Sequence, residues 1–224
     1  MVNAVWRALA ELFNPALRWV LLRALAITVA GLGALGALLY AAVAALSQGW
    51  TGWLKQTVDI LAGLGLVAGS ILLIPTVAII VVTLFLDEVA DTVETRHYPR
   101  APKGKPIALG PALVTGARFA AVALVLNLLA LPLYLLPGPN LLVYLALNGY
   151  LTGREYFELV ALRHIAPKDT SALRHRHKIE IYGAGVLIAL AFAVPILNLF
   201  APLFGAALMV HVFKHVESHP DPRL

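Results

Sequence analysis

The chain has 224 residues, 60% of them hydrophobic and only 13% charged, with a net charge of +5. A soluble domain typically has about 45–50% apolar and about 25% charged residues, so a water-facing fold of this length could not hide so much apolar surface. The composition predicts an all-α integral membrane protein, and the absence of cysteine excludes disulfides and thiolate chemistry.

Residues 1–13 read as an interfacial amphipathic helix. Val2, Trp6, Leu9 and Phe13 recur at helical spacing, while Arg7 and Glu11 form an i,i+4 pair on another face. The phrase FNPALRW then restarts the chain, with Asn14 as N-cap and Pro15 at the first helical position. A long helix over 15–46 follows. Trp50 and Trp53 in the next linker are interfacial belt residues. A second long helix over 59–97 ends in an acidic stripe, Asp87, Glu88, Asp91 and Glu94. The stripe fits a membrane helix emerging into water, and the alternative is metal or acid–base chemistry.

The last two apolar segments are broken by proline. Residues 119–152 contain Pro132 and the run Pro137-Gly138-Pro139, and residues 181–213 contain Pro195 and Pro202. Missing backbone donors and favoured turns split each into a helical hairpin, with pieces mostly short of the roughly 20 residues a crossing needs. Between them lies a cytoplasmic segment, 153–178. The whole of 1–224 reads as one membrane domain.

Charge position supports this topology. If the first two segments each cross once and the hairpins return to their own side, 16 of the 17 Lys and Arg residues share one face. The positive-inside rule makes that face cytoplasmic, with both termini on it. Topology and anionic lipid head groups explain the basic excess, so no nucleic-acid partner is expected.

This pattern resembles the CysZ family of sulfate transporters. The residues that carry the likeness are NPALRWVLLRAL, YLLPGPN, YLTGREYFELVALRH and VPILNLFAPLFGAALMVHVFKH, spread from about residue 6 to residue 214. The resemblance implies a bacterial inner (plasma) membrane protein that admits sulfate for assimilation and cysteine synthesis. It also implies two full crossings with two partly penetrating hairpins, and assembly into a homo-oligomer. The family's sulfate motif, Gly-Leu-x-x-Leu followed by paired arginines, falls here on Ala8-Leu9-Ala10-Glu11-Leu12 and Arg18-Trp19. Leu9, Leu12 and Arg18 match it. Ala8 stands where the motif has glycine, Trp19 where it has the second arginine, and Glu11 adds a negative charge.

The helix start also favours an anion on physical grounds. Orphan N–H groups at Ala16 and Leu17, just after Asn14, and the positive end of the helix dipole attract oxyanions. Arg18 supplies a bidentate donor, with Arg23 a second candidate about a turn and a half beyond. Alternatively, both arginines snorkel to lipid phosphates.

The charged stretch TGREYFELVALRH gives Arg154, Glu155, Glu158 and Arg163 as a gate or brace at the cytoplasmic mouth, with Arg154 and Glu158 at i,i+4. Glu155 and Glu158 could form a proton-coupled pair, and the alternative is a structural ion-pair cluster. His211 and His215 lack a third ligand and an H-E-x-x-H pattern, so no metal, cofactor or enzymatic activity is expected. Two function classes remain: an oxyanion permease, and a non-transporting membrane scaffold of the same fold.

Overall fold

The computed structural model describes residues 2–107, 109–134 and 140–218, which among them form helices and no strand. The chain divides into two compact units, Met1–Arg18 with Leu86–Leu224, and Trp19–Phe85.

The first unit opens with α1 (Val2–Glu11), whose apolar face is turned outward: Val2, Trp6 and Phe13 just beyond it are about 70% exposed. The expected Arg7–Glu11 pair does not form. Glu11 is instead buried and turned toward α4 (Leu86–His97), where it finds stronger partners. The long helix α2 (Pro15–Leu46) starts and stops where the sequence places it. Asn14 Oδ1 accepts the Ala16 N–H at 3.1 Å, and Pro15 takes the first helical position, where no N–H is needed.

The centre of the first unit is α10 (Ala201–Ser218), buried on every side from Ala201 to Lys214. A helix apolar all round belongs inside. It packs against α1, α4, α6 (Asn140–Ala161) and α8 (Lys178–Ala193). Phe157, Ile188, Leu203, Leu208, Met209 and Phe213 are the largest buried side chains of this core. Helices α6 and α8 cross at backbone contact because Gly149, Gly153 and Gly185 meet there. A Cβ at Gly185 would lie 2.6 Å from Gly153 Cα and closer still to the Gly149 carbonyl oxygen. At the same crossing, Thr152 Oγ1 donates to the Gly185 carbonyl at 2.8 Å.

Several boundaries differ from the sequence expectation. The helix expected over 59–97 begins earlier, as α3 (Gly52–Thr83), and breaks at Leu84–Phe85 before α4. Within the first unit, Asp87 and Asp91 of α4 are held by Arg163 and Glu94 by His164. In the first hairpin, α5 (Leu109–Tyr134) carries Pro132 inside it, and α6 runs on through the charged stretch to Ala161. They are 26 and 22 residues long, but the apolar run within α5, Ala117–Leu133, is shorter than a crossing and α6 includes the charged stretch. The Pro137-Gly138-Pro139 turn lies outside the described residues. Helix α7 (Pro167–Arg176) begins at a proline, as does α9 (Pro195–Asn198). Val194 is extended there, as a residue before proline prefers, so the second hairpin breaks where expected.

The second unit consists of the rest of α2 and α3. Gly49 and Gly52 in the connection have φ of 105° and 68°, which lets the chain reverse after Ser47. Its apolar side chains point outward: Leu38, Leu61 and Leu64 are 69%, 63% and 63% exposed. Among the described residues, Pro15–Leu46 is long and apolar enough to cross a membrane.

Candidate functional site

Three groups of polar side chains in the first unit carry the residues singled out from the sequence. The first surrounds the start of α2. Leu9 lies on the outer face of α1, Leu12 in the turn that ends it, and Leu17 is fully buried. Of the first-turn donors, Pro15 has none, Ala16 N–H goes to Asn14 Oδ1 and Arg18 N–H to the Asn14 carbonyl at 3.0 Å. The expectation that Ala16 offers an orphan N–H is thereby corrected: the cap takes it. The Arg18 guanidinium is exposed, lies 5.7 Å from the centre of the Phe13 ring, and pairs with no carboxylate among the described residues.

The negative charge that Glu11 adds to the motif stretch is met by neighbouring side chains. Its carboxylate is 1% exposed and receives His97 Nε2 at 2.7 Å, Arg96 Nη1 at 3.2 Å and Asn14 Nδ2 at 2.7 Å. Burial would raise its carboxyl, but the hydrogen bonds of Asn14 and His97 and the charge of Arg96 outweigh it and hold it below the ordinary 4.5. Glu11 therefore stays ionised, its charge is met locally, and α1 is fastened to α4. Arg23 belongs to the second unit, where its guanidinium sits 5.5 Å from the Trp19 ring centre.

The second group joins α4 to the end of α6. Arg163, its side chain fully buried, donates Nη1 to the Asp87 carbonyl at 2.9 Å and to Asp87 Oδ1 at 2.8 Å, and donates Nη2 to Asp91 Oδ1. Beside it, Glu94 takes His164 Nε2 at 2.7 Å and the Gly104 N–H at 3.1 Å. These bonds and the Arg163 charge outweigh burial and hold the Glu94 carboxyl low. Gly104 must be glycine, since a Cβ would meet Arg163 Nε at 2.7 Å. Of the acidic stripe, Glu94 is buried, while Asp87 and Asp91 keep an exposed side and hold the buried Arg163 from the other. Arg163, expected beside Arg154 and Glu158, serves this clamp instead.

The third group is the one the charged stretch predicts most directly. Arg154 Nε donates to Glu158 Oε1 at 3.0 Å, and Arg174 from α7 reaches the same oxygen at 3.7 Å. Glu155 lies at the exposed surface of α6, with Glu158 as its nearby like charge. Tyr150 is exposed, while Phe157 and Ala161 are buried in the core.

Sequence reasoning missed Arg96, His97, His164 and Arg174 as partners. The only local signal was the acidic spacing on α4, which fixes a face but names nothing opposite it.

No curated protein and no solved structure matches this chain. A family model described as Sulfate transporter CysZ/Etoposide-induced protein 2.4 matches residues 4–202, which include the capped helix start, the clamp and the Arg154–Glu158 pair. The chain therefore belongs to the Sulfate transporter CysZ/Etoposide-induced protein 2.4 family.

Proposed function

We propose that the chain is an inner-membrane sulfate or related oxyanion permease that supplies sulfate for assimilation and cysteine synthesis. The observation that carries this reading is the exposed Arg18 guanidinium at a capped, proline-initiated helix start, with the nearby Glu11 charge already neutralised. Asn14, Ala16 and Leu17 supply the helix-dipole end, Arg18 the bidentate donor, and Leu9 and Leu12 the apolar wall. Family membership supports it.

The outward apolar surfaces of the second unit, which water would leave unsatisfied, support the membrane reading. In this reading Pro15–Leu46 and Gly52–Thr83 are the two crossings, the hairpins enter from the cytoplasm, and both termini are cytoplasmic. Lipid covers the apolar faces. At Gly31, Gly33 and Gly36 an added Cβ would meet no atom within 4 Å, which leaves room for a second copy in a homo-oligomer. Arg154, Glu155 and Glu158 gate or brace the cytoplasmic mouth, with Arg163 clamping α4 behind them.

The second reading is a non-transporting membrane scaffold of the same fold. The capture of the Ala16 N–H by Asn14 favours it, because one fewer backbone donor remains for an anion. Radiolabelled sulfate uptake into liposomes separates the two. Uptake above empty liposomes that falls in a folded Arg18→Ala variant is the expected result. Absence of uptake by folded, inserted protein would decide for the scaffold.

A further inference from the structure

A crevice between α6, α7 and α8 is not used by the reading above. It has a volume of about 370 Å³ and lies at the glycine crossing, where Gly153 has no side chain to fill the groove. Tyr150, Ile179 and Tyr182 wall it, and all three are exposed. Helix α6 adds Arg154, α7 adds Arg174, and the start of α8 adds Lys178. No carboxylate is among its described lining residues, and Glu155 lies outside them. Glu158 is 3.0 Å from Arg154 Nε and 3.7 Å from Arg174 Nη2, so one acid answers two guanidiniums. Lys178 is exposed and pairs with no carboxylate among the described residues. The crevice therefore carries excess positive charge beside an apolar wall.

The chemistry changes along α8. Ile181, Ala184 and Ile188 face the core, yet the opposite face is apolar too: Ile179, Tyr182 and Leu190 are exposed on it. From Lys178 to Leu190 the helix rises about 18 Å, comparable with one leaflet of a hydrocarbon core about 30 Å thick. Tyr150 and Tyr182 stand between the cations and the apolar stretch, where interfacial tyrosines belong.

We propose that this crevice holds one anionic phospholipid, with its headgroup at Lys178 and Arg174 and an acyl chain along the face from Ile179 to Leu190. The apolar wall decides the class. A bare ion gains nothing from Ile179 and the two rings, whereas an amphiphile covers them and meets the cations as well. The unanswered charge selects an anionic headgroup over a zwitterionic one, as basic pockets at the cytoplasmic edge of membrane helices do. The site rests on the membrane reading above, and neither Arg18 nor passage of sulfate enters it.

The test is photolabelling of the full chain in phosphatidylcholine bilayers holding a trace of phosphatidylglycerol with a diazirine in one acyl chain. Labelled residues are mapped by mass spectrometry. The expected result is labelling at Tyr150, Ile179 or Tyr182 that unlabelled phosphatidylglycerol displaces, and that neither added phosphatidylcholine nor sulfate does. Lys178 is exposed, so Lys178→Gln leaves the fold intact; it should weaken binding about fivefold, the effect of one lysine on an anionic headgroup. Lys168→Gln, an exposed lysine of α7 outside the crevice, should not. Labelling of α2 that spares the crevice overturns the proposal and leaves the membrane reading standing, whereas a chain labelled nowhere overturns both. Displacement by phosphatidylcholine or by sulfate, or an equal loss in Lys168→Gln, also overturns it.

Discussion

The clamp between Arg163 and the α4 aspartates makes an asymmetric prediction. Arg163 has a fully buried side chain, whereas Asp87 and Asp91 are 49% and 52% exposed. Removing the arginine leaves two carboxylates that water already reaches. Removing the aspartates strands a guanidinium that water does not reach, and Glu94 cannot rescue it because His164 and the Gly104 N–H already hold that carboxylate. Arg163→Met should therefore cost about 1.5–3 kcal/mol, the range for hydrogen bonds to charged groups. The double variant Asp87→Ala/Asp91→Ala should cost about 3–5 kcal/mol, the range for an uncompensated buried charge. Alanine is a strong helix former, so the double change adds little penalty of its own to α4. At about 2–4 °C per kcal/mol for a chain of this size, thermal melting in detergent resolves the two. The triple variant, which also removes the stranded charge, should melt above the double one. A triple variant no more stable than the double, or an Arg163→Met that falls as far as the double, would refute the reasoning.

Two further outcomes are expected. Gly185→Ala drives a methyl into the Gly149 carbonyl and to 2.6 Å from Gly153 Cα, where only backbone can yield, so it should cost about 1–3 kcal/mol or more. Gly65→Ala, with nothing within 4 Å, should leave melting unchanged or raised; equal losses would contradict the close crossing. Glu11 and Glu94 have folded carboxyl values below their ordinary 4.5. Their stabilisation is therefore complete above that value and is lost as pH falls through the lower folded one. Melting followed from about pH 7 to about pH 3 should show this loss, and it should flatten in Glu11→Gln and Glu94→Gln. A wild-type acid limb no steeper than that of the variants would count against both ion pairs.

What sequence determines here is local. The start of α2 follows from Asn14 and Pro15, whose cap and missing N–H act within one turn. The break before α9 follows from Pro195, which forces Val194 to be extended, and the Arg154–Glu158 pair follows from i,i+4 spacing. Composition carries the helical class, and the quoted motifs carry the family that the match over residues 4–202 then showed. The partners of buried charge are another matter. Glu11 and Arg163 find theirs 86 and 72–76 residues away along the chain, and His164 and Glu94 are 70 apart. Periodicity says which face of a helix carries the charge, but not which helix will lie against it. That choice rests with packing. The glycine crossing of α6 and α8 and the burial of α10 fix where α4 can dock, and docking decides which carboxylates are neutralised and which cations remain exposed. So the sequence could place Arg18 at a helix start. Only the tertiary structure could show that the acid seven residues before it was already spoken for.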